Sequence, residues 1–265
     1  MLGKLCKHEI KATARYFLPL FLITLLLTPV TRLTVSVGNY PGILGFIPVV
    51  VVFAYVASIL VISAASVLLI VHRFYKSMVT EEGYLMHTLP VSTETHIFAK
   101  LIVSSLWVVS SFLVIVISLF MMFYTPDRFA SLLNELSTLW SMTSGYATSA
   151  QLTLTIIEVV LLCIIGIFTS PLVFYASIAI GQIISKNKVL GSVVGFFIIQ
   201  FVSQILGMIS MVPFGYSIDA LNTMSTQMAI ISNVFFPYCI VVSIISGVIL
   251  FVLTDFIFKK KLNLE

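Results

Sequence analysis

The residues that could do chemistry are few and scattered. Glu81 and Glu82 form a carboxylate pair of the kind a membrane-embedded protease could use, but such a centre needs further acids or histidines on neighbouring helices. The apolar segments near 16–31, 43–71, 101–124 and 189–213 contain no Asp, Glu or His. Glu158 and Asp255 are therefore the only acids within candidate spans. Asp255 stands four residues before Lys259, the spacing of an ordinary helical ion pair. Glu158 has two readings, a structural role near the outer end of its span or a place on a gate or substrate path. His8, His72, His87 and His96 match no metal-ligand spacing, and Cys6, Cys163 and Cys239 are too scattered for a metal site or a disulfide framework. The chain has no GxxxxGK[ST] phosphate loop, so no ATP hydrolysis is expected of it and no cofactor of its own.

The elements that hold these residues are membrane helices. Of 265 residues, 60% are hydrophobic and 9% are charged, too little polar surface to clothe a soluble globule. The pattern predicts an all-α, polytopic membrane protein forming a single transmembrane domain over residues 1–265, with spans at about 16–31, 43–71, 101–124, 152–184, 189–213 and 228–258. Pro171 and Pro237 predict kinks, and Pro126 ends the third span. The outer link that follows, 127–150, has room for a short helix. Basic residues precede the first span, but no small-residue cleavage site follows it at Thr31 to Leu33, so a retained helix is expected rather than a signal peptide.

Charge fixes the orientation. Twelve of the 14 Lys and Arg residues fall before the first span, in the link after the second, after the fourth, or after the sixth. Only Arg32 and Arg128 fall on the other side. Because Lys and Arg near spans are retained in the cytoplasm, both termini are expected to be cytoplasmic. Within residues 1–15, Lys4, Lys7, His8, Lys11 and Arg15 share one helical face, and Leu2, Leu5, Cys6 and Ile10 share the other. This predicts an interfacial amphipathic helix that meets anionic lipid headgroups, and the net charge of +4 is assigned to that surface rather than to nucleic acid. Glu9 and Thr13 interrupt its apolar face, which points to partial contact with protein.

Gln200 and Gln204 lie one turn apart on the fifth span, and a polar stripe in a bilayer must face protein or water. They either hold the bundle together through interhelical hydrogen bonds or line a translocation path with Ser58, Ser63 or Ser66 of the second span.

The cytosolic link 72–100 is the most informative local stretch. Gly83 and Pro90 break it, and Ser92 or Thr93 can cap a helix that runs into the third span. Between the breaks, Tyr84, Leu85, Met86 and Leu89 place four large apolar side chains on a small cytosolic knob. They either pack on the protein's own helix ends or dock a soluble partner, with Glu81 and Glu82 as the charged rim.

The phrases EEGYLMHTLPVS, KHEIKATARYFLPLF and YASIAIGQIISKNKVLGSVVGFF, the last at 175–197, resemble the six-helix permease subunits of bacterial ATP-binding-cassette exporters, above all the small Gram-positive type. The resemblance spans nearly the whole chain. It implies a separate ATPase subunit that binds ATP and Mg, and a second permease copy or paralogue. It also implies that an N-terminal interfacial helix, Leu2 to Arg15, and a coupling helix around Glu81 to Leu89 receive the ATPase's motion, and that second and fifth helices face each other across a cavity between two permeases. The expected cargo is a peptide, lipid or amphipathic small molecule. The competing expectation is a non-transporting membrane protein, an embedded enzyme or an immunity factor.

Overall fold

A computed structural model describes residues 2–37, 45–79, 92–183, 187–219 and 229–260. The elements are helices: α1 (Leu2–Val37), α2 (Phe46–Val79), α3 (Thr93–Phe123), α4 (Pro126–Tyr146), α5 (Ser149–Gly181), α6 (Lys188–Asp219) and α7 (Phe236–Lys260), the last preceded by a π-helical turn, Ile231–Phe235. Among the described residues, six helices are long and apolar enough to cross a membrane, α4 being the exception. The protein is thus an all-α, multi-pass membrane protein.

The structure redraws the first expected boundary. No break separates residues 2–15 from the first span; both belong to one helix of 36 residues, about 54 Å long. The reason lies in the buried positions Glu9, Thr13, Phe17, Phe21, Thr24, Thr28 and Thr31, which recur every three or four residues and make one stripe along the whole helix. The polar residues that interrupt the apolar face of residues 1–15 belong to that stripe.

The chain divides into two compact units. The first comprises residues 1–76 and 95–132. Within it, α1 and α3 run parallel in a nearly constant register. Cys6 Sγ approaches Ala99 O, Thr13 meets Trp107, Thr28 meets Ser118, and Arg32 reaches Met121 and Tyr124. The core is built on Phe17, Phe21, Ile62, Val103 and Trp107. Phe17 and Trp107 stack with ring centroids 4.4 Å apart and planes 5° from parallel. The Trp107 indole N–H donates to Thr13 Oγ1 at 2.7 Å, so the ring's polar edge is satisfied inside the bundle.

Lipid supplies no attraction between apolar helices, so hydrogen bonds and close packing must hold them. One such bond set joins α1, α2 and α3. Ser118 Oγ lies 2.9 Å from Thr28 Oγ1 and 2.7 Å from the Tyr55 hydroxyl, all three residues being buried. At the far end, the Arg32 guanidinium donates to the carbonyls of Met121 and Tyr124 at 2.9 and 2.6 Å. It thereby satisfies carbonyl groups at the C-terminal end of α3, where the helix dipole also favours a cation.

The second unit comprises residues 77–94 and 133–265, and in it α5 packs against both α6 and α7. Two glycines allow the close approach. A Cβ on Gly181 would lie 2.1 Å from Ser192 Oγ and 2.6 Å from Lys188 O, and one on Gly195 would lie 3.2 Å from Ser177 O. Small residues let membrane helices approach backbone to backbone. Pro171 lies buried within α5. The expected disturbance at Pro237 takes the form of the π-helical turn just before it, where the Phe236 N–H bonds to Ile231 O. Proline lacks the N–H that would bond four residues back and its ring crowds that carbonyl, so the chain widens by one residue there.

Candidate functional site

The candidate site is formed by buried charges of the first unit. Glu9 on α1 accepts from Lys100 Nζ of α3 at 2.6 Å through Oε1 and from Arg73 Nε of α2 at 2.8 Å through Oε2. The side chains of Glu9 and Lys100 are 5% and 4% exposed, that of Arg73 24%. Thr13 and Trp107 continue the polar contact one turn further along, and His96 is buried one turn before Lys100. Burying a carboxylate is tolerable only with close cationic partners, and this one has two, one at each oxygen.

These three residues have a consequence for the link between α2 and α3. Arg73 lies near the end of α2 and Lys100 near the start of α3, so one carboxylate on α1 fastens both helices that flank the link. Both basic residues serve in the sequence as topology markers; their common partner emerges only when the three helices pack. The readable signal was Glu9 itself, a lone acid on the apolar face of a basic helix.

In the second unit, Lys259 of α7 pairs with Asp255 at 2.7 Å, the expected i,i+4 pair, and also with Glu94 at 2.5 Å. The pair with Glu94, also in this unit, is one that sequence spacing does not reveal. Both groups are substantially exposed, so solvent screens the pair.

The expected coupling residues Glu81, Glu82, Tyr84, Leu85, Met86 and Leu89 lie outside the described residues. The expected start of the third helix at Ser92 or Thr93 agrees with the observed α3. Lys4, Lys7, Lys11 and Arg15 are all exposed, as a basic face requires, and the Arg15 guanidinium sits 4.9 Å over the Tyr16 ring. This stripe climbs a helix that stays beside α3, over about 16 Å.

The residues expected along a path fall in separate units. In the first, the hydroxyls of Ser58, Ser63 and Ser66 donate to carbonyls of their own helix, those of Tyr55, Ile59 and Ser63. In the second, Gln200 and Gln204 are exposed. At about 100° per residue they lie roughly opposite the face on which Gly191 and Gly195 are buried. Glu158 is half-buried, and its Oε2 is buried without a partner among the described residues. Among those residues no group of His, Cys, Asp and Glu is arranged to hold a metal ion. Comparison with protein-family models, with curated proteins and with solved structures returns no match to this chain.

Proposed function

We propose that this chain is the membrane-spanning permease subunit of an ATP-driven exporter in a bacterial cell membrane, with both termini cytoplasmic. It works with a separate ATPase subunit, which binds ATP and Mg, and with a second permease copy or paralogue. The observation that carries this reading is the junction of Glu9 with Arg73 and Lys100. A force applied to the link 80–91 reaches α2 and α3 at their fastened ends and passes to α1 through Glu9. One carboxylate thus joins α1 to both helices that flank the link, as coupling a soluble motor to a membrane gate requires. One further feature supports the reading. Gln200 and Gln204 present amides on an exposed face of a span, where lipid cannot satisfy them and a second subunit or a water-filled path can. Exchange between inward-open and outward-open states is then a population shift driven by nucleotide-dependent contacts on the link.

The test is co-purification in mild detergent, where the wild-type chain is expected to bring a phosphate-loop ATPase with it. Burying one large apolar side chain contributes roughly 1.5–3 kcal/mol, so Leu85→Asp with Leu89→Asp should cut the affinity for that ATPase by about two orders of magnitude or more. The double variant should still insert and fold. Recovery of no ATPase with the wild-type chain, or undiminished recovery with the variant, overturns the reading, the first outcome in favour of a non-transporting membrane protein.

A further inference from the structure

The connection between α3 and α5 is a 21-residue amphipathic helix, α4, none of whose residues is buried. At about 100° per residue, Phe129, Leu132, Leu133, Leu136, Leu139 and Trp140 fall within one arc of roughly 120°. Ser131, Asn134, Ser137, Thr138 and Ser141 lie on the remaining face. The exposure of these apolar side chains runs from 38% at Phe129 to 59% at Leu139. An apolar face of this size in contact with water needs a cover.

Chain connectivity identifies that cover. α3 ends at Phe123 and α4 begins at Pro126, while α4 ends at Tyr146 and α5 begins at Ser149. Each two-residue link reaches about 7 Å at full extension, whereas α4 is about 31 Å long. α3 and α5 are both candidate membrane spans. One leaves the membrane at the face where the other enters, so both ends of α4 are pinned to a single face. A rod of that length held at both ends lies along the surface. Its first turn is fastened there by an aromatic corner, in which Phe129 lies 6.2 Å from Phe120 and 5.8 Å from Tyr124 between ring centroids.

We infer that α4 is an in-plane interfacial helix whose apolar face is embedded in the lipid surface between headgroups and acyl chains. Its charges select the kind of lipid contact. Asp127, Arg128 and Glu135 are its only charged residues, and its polar face is otherwise Ser, Thr and Asn. An attachment with so little basic charge depends on apolar burial rather than on anionic headgroups. It is therefore satisfied by zwitterionic lipid and insensitive to salt, unlike the Lys and Arg stripe of α1.

The experiment uses the full chain in zwitterionic lipid nanodiscs, with Cys6, Cys163 and Cys239 replaced by Ala and single cysteines placed from Ser131 to Met142. Each carries an environment-sensitive fluorophore. Variants with the wild-type elution profile are compared for quenching by brominated lipid and by aqueous iodide. Labels at Leu132, Leu136 and Trp140 are expected to show blue-shifted emission and at least about threefold stronger quenching by brominated lipid than labels at Ser131, Asn134 and Thr138. The profile should repeat every 3.6 residues and persist in roughly 0.5 M salt. Uniform access to iodide would place α4 in water and overturn the inference. Protection of the apolar face from both quenchers, with disulfide cross-linking between copies through Leu136→Cys, would overturn it in favour of a protein cover.

Discussion

Glu9 and Lys100, 91 residues apart in sequence, form an ion pair of 2.6 Å in which each side chain is at most 5% exposed. The pair joins two parallel helices at the level where the apolar run of α3 begins, and Arg73 closes it from α2. Removing one member of a buried pair leaves its partner's charge insufficiently compensated. Glu9→Ala should therefore destabilise the first unit by roughly 3–5 kcal/mol. Fluorescence-detected thermal unfolding in detergent checks this, with a clear fall in apparent Tm expected. Glu9→Ala combined with Lys100→Met should recover much of the loss, since the buried cation is then gone. An unchanged midpoint in Glu9→Ala would show that the carboxylate contributes little.

The packing of α5 on α6 gives a second expectation. A Cβ at Gly181 would stand 2.5 Å from the Ser192 backbone nitrogen, which cannot give way as a flexible side chain can. Gly181→Ala should lower the apparent Tm or the folded yield, and Gly195→Leu more so. Gly145→Ala and Gly207→Ala, where an added Cβ meets nothing within 4 Å, should match wild type and serve as controls. Overpacking a tight contact typically costs about 1–3 kcal/mol.

Orientation is tested by labelling from outside sealed cells in a background without the native cysteines. Twelve of the 14 basic residues lie on one side of the span pattern, which predicts that this side faces the cytoplasm. Cysteines at Ser137 and Ser217 should react with a membrane-impermeant reagent, and those at Lys188 and Asn263 should not. Reaction at Lys188 or Asn263 would sink the assignment of both termini to the cytoplasm.

Hydropathy alone determined that this is an all-helical, multi-pass protein, because roughly 20 apolar residues in a row have few other stable homes. The spacing of Asp255 and Lys259 likewise specified their pair, since residues four apart on one helix are neighbours whatever surrounds them. Pro126 was readable as the end of α3, and it also opens α4 at a position where its missing N–H costs nothing. Tertiary structure decided the rest. That α1 runs unbroken from Leu2 to Val37 follows from a buried stripe whose members include Glu9 and four threonines beyond the reach of a hydropathy pattern. That Arg73 and Lys100 share one carboxylate follows from the register of three helices, set by contacts such as Thr28 with Ser118 that span about ninety residues. Sequence spacing encodes neighbours along a helix; which helices meet, and at what height, is settled only when packing and interhelical hydrogen bonds choose a register.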